Sequence, residues 1–147
     1  MGKISFCHVG LTVSDMDRTI DFYRKYFGFT VGERGVFSPE FIGDKPMLYR
    51  QERGAYSDFA FLSSPDGVVL ELFRFVPSCE AEQPVWNRPG YHHICIKVES
   101  CREMYERMCA DGLEELYYFR PDKMDAGGEH HWVFLRDPDG NMIELQD

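Results

Sequence analysis

Two segments of the chain alternate apolar and other residues with a period of two. FCHVGLTVSD at 6–15 and YHHICIKVES at 91–100 align with His8 against His93. The apolar positions are Val9, Leu11 and Val13 in the first segment and Ile94, Ile96 and Val98 in the second. Alternation of this kind predicts a strand with one buried face, and it places each histidine on the opposite face.

A helix is predicted after each of these strands, because apolar residues then recur every three or four positions. The two apolar stripes are Met16, Ile20, Tyr23 and Phe27, and Cys101, Met104, Tyr105 and Met108. The pairs that resemble capping boxes at the helix starts are Ser14 with Asp17 and Ser100 with Glu103. Gly28 and Gly112 stand where a left-handed residue would end each helix.

The motif FLxxPDGxxxEL occurs twice, in FLSSPDGVVLELFRF and in FLRDPDGNMIELQD. Pro, Asp and Gly suit the last three positions of a type I turn between two strands. Strand-like FTVGERGVF and EELYYF follow the two helices, and SDFAFL and HHWVFL precede the two turns. The order strand, helix and three strands therefore recurs. We predict a single domain over 1–147, with module 1 at 4–76, a Pro-rich polar linker at 77–90 and module 2 at 91–147.

The first module is longer than the second. Positions 8 and 71 lie 63 residues apart, against 51 for positions 93 and 144, so module 1 has 12 extra residues. The segment SPEFIGDKPMLYRQERGAY is predicted to be the irregular region that contains them. Long loops in compact domains are usually functional or mobile.

Each final strand carries a glutamate inside an apolar run, Glu71 in VVLELF and Glu144 in NMIELQ. The neighbours on either side belong to the helix-packing face, which turns each carboxylate onto the face of the histidine. A charge there is costly unless it is paired or bound to a metal. One histidine or glutamate on a strand is usually structural or solvated, but a recurring pair favours function. We predict a divalent metal site made by His8, Glu71, His93 and Glu144.

Other polar residues are weaker candidates. The parity of the strand sends His92 to the helix face. His130 and His131 could support the metal ligands, contact substrate or lie on the surface. The residues that could recognise an anionic substrate, or could only be solvated, are Arg74, Lys97, Arg120 and Lys123.

Charge and composition limit the classes of molecule that the protein is expected to bind. A net charge of −9 and a pI near 5.0 argue against nucleic acid and anionic membranes, because phosphate binding relies on basic patches. No apolar stretch approaches the roughly 20 residues of a membrane span, and MGKISFCHVG lacks the layout of a signal peptide. Five cysteines without a CxxC favour reduced thiols. We expect a cytoplasmic protein with a small-molecule substrate, no nucleic acid and no membrane partner.

Nearly the whole chain resembles the vicinal oxygen chelate superfamily, which includes glyoxalase I, fosfomycin-resistance proteins, bleomycin resistance proteins, extradiol dioxygenases and methylmalonyl-CoA epimerase. The matching segments are HVGLTVSDMDRTIDFYRKYFGF, VVLELF, YHHICIKV and FLRDPDGNMIEL. The resemblance implies an α+β fold of two tandem βαβββ modules that form a curled eight-stranded mixed sheet around a metal cleft, often in a homodimer. It also implies one divalent metal ion, Zn, Ni, Fe, Co or Mn, on His8, Glu71, His93 and Glu144.

The ligand order His, Glu, His, Glu is similar to that of bacterial glyoxalase I. This similarity implies chelation of two adjacent substrate oxygens and proton transfer through a metal-stabilised enolate, with Glu144 as the first candidate base and Glu71 as its partner. We expect a metal-dependent, glyoxalase-like lyase or isomerase. The alternatives are a methylmalonyl-CoA epimerase-like isomerase and a non-catalytic small-molecule binding or resistance module. Thr12 and Phe75 stand where glyoxalases that hold glutathione typically have Arg and Asn, so the usual glutathione contacts are missing.

Overall fold

The computed structural model describes residues 2–120 and 131–147. The chain divides into two compact units, Met1–Glu80 and Ala81–Asp147, each with its own sheet. The division falls inside the linker predicted at 77–90. The grouping of both modules into one domain, 1–147, stays a prediction.

Unit 1 contains a four-stranded mixed sheet in the order β1-β4-β3-β2. Its strands are β1 (Val9–Thr12), β2 (Thr30–Phe37), β3 (Tyr56–Ser63) and β4 (Val69–Val76). Strand β1 is parallel to β4, and the other neighbours are antiparallel. Helix α1 (Met16–Phe27) packs on β3 and β4. The core between helix and sheet includes Ile20, Tyr23, Ala60, Leu62, Leu70 and Leu72, all buried.

The ends of α1 follow from local hydrogen bonds. The capping-box pattern predicted Ser14 as the N-cap of α1, but this prediction was wrong. The N-cap is Asp15, whose carboxylate accepts from the Arg18 N–H at 3.0 Å. The Ser14 hydroxyl instead accepts from the Arg18 guanidinium at 2.9 Å. Gly28 ends the helix with φ 69°, as predicted, and its N–H bonds to the Arg24 carbonyl.

The segment at 38–56 is more regular than the sequence predicted. It contains two short helices, α2 (Pro39–Gly43) and α3 (Pro46–Tyr49). The Ser38 hydroxyl caps α2 by accepting from the Phe41 N–H at 3.2 Å. Proline occupies the first position of both helices, where its missing N–H costs nothing.

Unit 2 contains a three-stranded sheet in the order β5-β7-β6. Its strands are β5 (His93–Lys97), β6 (Trp132–Arg136) and β7 (Met142–Gln146), with β5 parallel to β7 and β6 antiparallel to it. Ser100 is the N-cap of helix α4 (Cys101–Ala110), as predicted, and its hydroxyl accepts from the Glu103 N–H. The core includes Met108, Val133, Leu135, Ile143 and Leu145, none of them exposed.

The α+β class with mixed sheets is confirmed, but the single curled eight-stranded sheet is wrong for the described residues, which form seven strands in two sheets. The missing strand is EELYYF. Glu114–Leu116 is a 3₁₀ helix, and only Tyr117 forms an isolated bridge with Leu135. The Glu114 carboxylate accepts from Tyr105 on α4 and from Arg120, so its contacts are local. Glutamate is also a poor strand former.

Each of the five cysteines is free. Across the described residues, none of the helices combines the length and the apolarity that crossing a membrane demands.

Candidate metal centre

Two equivalent turns precede the strands that carry the glutamates. The Gly67 N–H donates to the Ser64 carbonyl and the Gly140 N–H to the Asp137 carbonyl, each at 3.0 Å. These are the hydrogen bonds expected of β-turns at the PDG segments. Both glycines have positive φ, 91° and 88°, which explains why glycine occupies these positions.

Strand register gives the two units the same arrangement of histidine and glutamate. In unit 1 the parallel pairing of β1 with β4 sets Gly10 opposite Glu71. In unit 2 the pairing of β5 with β7 sets Cys95 opposite Glu144. His8 and His93 each come two residues before the paired position. Each histidine therefore lies on the same sheet face as the glutamate of its own unit.

The side chains of each pair are in contact. The Nε2 atom of His8 lies 2.9 Å from Oε2 of Glu71, and Nε2 of His93 lies 3.1 Å from Oε2 of Glu144. The glutamate side chains are only 12% and 16% exposed, against 37% and 25% for the histidines. A mostly buried carboxylate needs a partner, and the imidazole supplies it. The structure thus pairs His8 with Glu71 in unit 1 and His93 with Glu144 in unit 2.

A phenylalanine flanks each pair in the same way. Phe61 is the cross-strand neighbour of Glu71, and Phe134 is that of Glu144. The ring of Phe61 lies edge-on to His8 at 6.0 Å, and the ring of Phe134 lies edge-on to His93 at 5.1 Å. These contacts fix the orientation of the imidazoles. Sequence reasoning missed this role, although the repeated Phe of FLxxPDGxxxEL was its signal.

Trp86 is a second residue that the sequence analysis missed. Its ring stacks on His92 at 5.1 Å and lies 5.6 Å from His93 and 5.7 Å from Phe134, while 59% of the residue stays exposed. The segment around it was interpreted only as a linker because of its proline and polar content. Trp86 therefore lies beside the His93–Glu144 pair of unit 2.

The pair in unit 2 has polar neighbours that the pair in unit 1 lacks. Gln146 donates from Nε2 to Oε1 of Glu144 at 2.9 Å. Partial burial raises the pKa of the Cys95 thiol to about 11, and the charge of Glu144 with its hydrogen bond adds to this effect. The thiol is consequently protonated at neutral pH and is a donor to Glu144. The equivalent positions in unit 1 are Phe73 and Gly10.

Of the two histidines of HHWVFL, the structure describes His131. His130 lies outside the described residues. The ring of His131 contacts the carboxylate of Asp147, Nδ1 to Oδ1, at 3.1 Å, and the His131 N–H donates to the same oxygen. His131 therefore has a structural partner at the end of β7.

Two of the four cationic candidates are paired with acids. Arg74 donates to Asp58 at 2.8 Å, and this hydrogen bond raises the pKa of Arg74. Arg120 donates to Glu114 at 2.9 Å. Lys123 lies outside the described residues, and Lys97 is exposed on β5. Arg74 shares its strand parity with buried Leu70 and Leu72, so it is on the face opposite to Glu71.

The two pairs have the chemistry and the spacing of metal ligands. Neighbouring ligands bound at 2.0–2.2 Å to one ion are about 3.4 Å apart in a tetrahedral site and about 3 Å apart in an octahedral one. The observed N···O separations of 2.9 and 3.1 Å fit the octahedral case and equally a hydrogen bond. Imidazole with carboxylate suits several divalent transition metals. Among the described residues, no group of three or more His, Cys, Asp or Glu side chains lies close enough to hold an ion. Each unit by itself thus offers two ligands.

Comparisons with known proteins identify the fold and the family of the chain. A family model described as "Glyoxalase/Bleomycin resistance protein/Dioxygenase superfamily" matches residues 5–145. A probable lactoylglutathione lyase of Vibrio cholerae is 29% identical, and the match covers 99% of this chain and 91% of the relative. The lactoylglutathione lyase of Schizosaccharomyces pombe is 27% identical over 99% of this chain.

The share of each relative that a match covers limits what the match shows about this chain. The chain spans only 48% of the Schizosaccharomyces pombe relative, about half its length. A solved glyoxalase family protein from Bacillus cereus superposes with a TM-score of 0.78 at 22% identity, covering 99% of this chain and 95% of that one. This likeness shows the fold. The family model extends over both pairs and both PDG turns, and the chain belongs to the glyoxalase, bleomycin resistance protein and dioxygenase superfamily.

Proposed function

We propose that the protein is a divalent-metal-dependent, glyoxalase-like lyase or isomerase that acts on a small substrate with two adjacent oxygens. In this proposal His8, Glu71, His93 and Glu144 hold one ion. The metal, when bound, supplies a Lewis acid that polarises the substrate oxygens. The chain supplies the ligands and moves a proton between substrate carbons.

The observation that carries the proposal is the recurrence of one His–Glu pair in two units, in the same register and at ligand spacing. A single pair would be explained by an ordinary ion pair. Two pairs at equivalent positions of a repeat, each flanked edge-on by a phenylalanine, call for a common role.

Glu144 is the proposed base. Gln146 donates to its Oε1 atom, so the carboxylate is held in one orientation while Oε2 faces His93. A carboxylate held in this way can take a proton from a substrate carbon and return it to the neighbouring one. Glu71 is the second candidate, in surroundings that are more apolar because Phe61 and Phe73 flank it.

The relatives support lyase chemistry, since two of them are named lactoylglutathione lyase or probable lactoylglutathione lyase. Glutathione itself fits this chain poorly. Thr12 cannot give a carboxylate the two parallel hydrogen bonds that an arginine gives, and Phe75 has no side-chain donor at all. A polar group that loses water beside Phe75 without a new partner costs about 1 to 3 kcal/mol. We therefore expect the hemithioacetal of methylglyoxal and glutathione to be turned over with kcat/KM below about 10⁴ M⁻¹s⁻¹.

The test is proton exchange in D₂O, followed by NMR, with metal-loaded protein and a panel of small substrates. The panel contains glycolaldehyde, the aromatic ketol 2-hydroxyacetophenone, and the hemithioacetals of methylglyoxal with 2-mercaptoethanol and with glutathione. We expect metal-dependent deuterium incorporation at carbon for at least one compound, and none with His8→Ala or with chelator-treated protein. Tight binding of the metal without exchange in any compound would instead indicate a non-catalytic binding module.

A further inference from the structure

A continuous row of phenylalanine rings extends from the His8–Glu71 pair across unit 1. We call the rings of Phe37, Phe59, Phe61, Phe73 and Phe75 the phenylalanine face. Phe61 contacts His8, Phe59 lies 5.9 Å from Phe61, and Phe37 stacks on Phe59 at 4.7 Å. Phe73 lies 6.1 Å from Phe37 and 6.3 Å from Phe75. Strand parity places these rings on the sheet side of Glu71, opposite to the side covered by α1.

The rings are held in place but not fully covered. All five are half-buried, in contrast to the fully buried leucines on the other side of the same strands. A Cβ on Gly35 would lie 2.6 Å from the ring of Phe59, so the absence of a side chain there lets the ring lie across β2. Gly10 likewise leaves the edge of Phe73 open next to the pair, since an added Cβ would lie 3.4 Å from it.

The phenylalanine face carries little charge. On β3 and β4 its other positions are Ser57, Ser63 and Val69, and Glu71 is the one ionisable residue at these positions of the two strands. Arg74 and Asp58 pair with each other on the opposite face. A substrate carboxylate or ammonium group would find no partner from these two strands.

The fold does not by itself require this apolar surface. The positions of unit 2 that correspond to Gly10, Thr12 and Phe73 are Cys95, Lys97 and Gln146. Strands β5 and β7 therefore carry polar residues at these positions, where β1 and β4 carry phenylalanine or small residues. Strands β3 and β6 are aromatic in both units, since Trp132 and Phe134 stand at the positions of Phe59 and Phe61. This difference between the repeats calls for a ligand that treats the two units differently.

From this asymmetry we infer the substrate class: the group next to the chelating oxygens is uncharged, apolar and planar, and it lies on the phenylalanine face. The inference rests on the proposed function and deepens it. An aromatic group can stack on or meet the edges of Phe59, Phe61 and Phe73. A charged group would lose its water there without a replacement.

Hydroxamates test this inference because they present two adjacent oxygens to a divalent metal. Binding of acetohydroxamate, benzohydroxamate and succinic monohydroxamate to Ni²⁺-loaded protein is measured by calorimetry, with free Ni²⁺ as the reference for intrinsic chelation. We expect benzohydroxamate to bind about tenfold or more tightly than acetohydroxamate after this correction, and the carboxylate-bearing compound to bind no better than acetohydroxamate.

Variants assign the effect to the phenylalanine face. Phe73→Gln introduces the residue of the equivalent position in unit 2 and should abolish the benzohydroxamate gain. The gain is taken as the ratio of the two affinities in the same variant, so that an effect on the metal site alone does not count. Val36→Gln changes an exposed residue, 60% accessible, of opposite parity on β2 and should leave the gain intact. An unchanged gain in Phe73→Gln would overturn the inference. The inference would also be overturned if Phe73→Gln changed the oligomeric state without changing the ligand preference. The phenylalanine face would then be covered by a second copy of the chain.

The proposed function and this inference can fail separately. If acetohydroxamate shows no metal-dependent binding, the metal chemistry fails, and the phenylalanine face is tested with metal-free protein. Saturation-transfer NMR should then detect benzamide but not acetamide, and Phe73→Gln should remove the benzamide signal. Equal signals for the two amides, or a benzamide signal that persists in Phe73→Gln, would contradict the inference.

Discussion

Glu71 and Glu144 occupy equivalent positions but have different neighbours. Glu144 accepts a hydrogen bond from Gln146 and is near the protonated thiol of Cys95, whereas Glu71 has Phe61 and Phe73 beside it. Donors fix the orientation of a carboxylate, and apolar neighbours do not. In the proposed function both glutamates bind the metal, and this difference in neighbours is the reason for assigning proton transfer to Glu144.

The first prediction concerns Glu144→Gln. The amide can still contact His93 and can ligate weakly, but it cannot act as a base, so deuterium exchange into the substrate should fall by about 10² to 10⁴-fold. NMR in D₂O measures the exchange, and elemental analysis checks that metal remains. Glu71→Gln is the matched control, with a smaller loss expected. Full exchange in Glu144→Gln would move the base to Glu71 or elsewhere.

At the residue scale, alternation along the strands predicted which face each histidine and each glutamate would share, and the structure pairs them. It did not predict the contacts of Phe61, Phe134 and Trp86 with the imidazoles. Those contacts depend on cross-strand register and on the path of the linker, which a periodic pattern does not contain.

At the scale of the elements, the contact between β2 and β3 depends on a glycine. The ring of Phe59 lies across Gly35, its cross-strand partner, and is stacked on Phe37. This stacking restricts how far the ring can move away from a new side chain.

We accordingly predict that Gly35→Ala lowers the free energy of unfolding by about 1 to 3 kcal/mol through overpacking. Gly43→Ala is the matched control, since an added Cβ meets nothing within 4 Å and the residue ends helix α2. Its effect should stay within about 0.5 kcal/mol. Urea unfolding measures both variants, and equal stability of the two would show that Phe59 moves freely.

The start of α4 provides a pH-dependent prediction. The Cys101 N–H donates to Oδ2 of Asp147 at 3.0 Å, and His131 contacts Oδ1. These hydrogen bonds, that of Cys101 first, lower the pKa of Asp147. Since the folded-state pKa lies below the unfolded value of about 3.9, the stabilisation is complete above about pH 4 and disappears as the pH falls through the folded-state pKa.

Asp147→Ala should therefore lower the free energy of unfolding by about 1 kcal/mol at pH 7, as the loss of a helix cap does. The corresponding drop in Tm is about 3 °C. Below about pH 4 the difference from the unchanged protein should shrink. Glu106→Ala removes an exposed carboxylate from the same helix and serves as the control. A difference that stays constant from pH 7 to pH 2 would show that the Asp147 charge is irrelevant.

The elements were predictable where local pattern and packing agree. Gly28 and Ser100 have the roles expected of them, because capping depends on a few neighbouring residues. EELYYF did not become a strand, because Glu114 finds partners in Tyr105 and Arg120 that its own segment does not reveal. The two helices at 38–56 were missed because short helices carry too few turns to show a period.

For the whole molecule, we expect a homodimer. Each sheet has two edge strands of its own, β1 and β2 in unit 1 and β5 and β6 in unit 2. Edge strands are normally paired or covered, and a two-fold dimer is a common way to do so. Light scattering at micromolar concentration should give twice the chain mass of 17.2 kDa. A mass of one chain across that concentration range would rule out a stable dimer.

Most of the overall architecture was predictable because the chain contains a repeat. Two copies of one pattern predicted two units of the same type, each with a helix on one sheet face and a His–Glu pair on the other. The strand count in unit 2 was wrong because the second copy has diverged at EELYYF. The difference in polarity between Phe73 and Gln146 was visible in the sequence. Its relation to the candidate site became clear only from the strand register, which places both residues beside a glutamate.

Metal stoichiometry tests the central claim, that the two His–Glu pairs serve a single divalent ion, most directly. Protein purified without chelator and reconstituted with Ni²⁺ or Zn²⁺ is analysed for metal per chain, together with His8→Ala, His93→Ala and the control His131→Ala. We predict about one ion per chain, lost from both His8→Ala and His93→Ala and retained in His131→Ala. Ni²⁺ should also quench the tryptophan fluorescence, and less so in Trp86→Phe, because the Trp86 ring lies 5.6 Å from that of His93 and Trp132 is the other tryptophan of the chain. Trace metal without uptake on reconstitution, or two ions per chain lost one at a time from the two variants, would contradict the account.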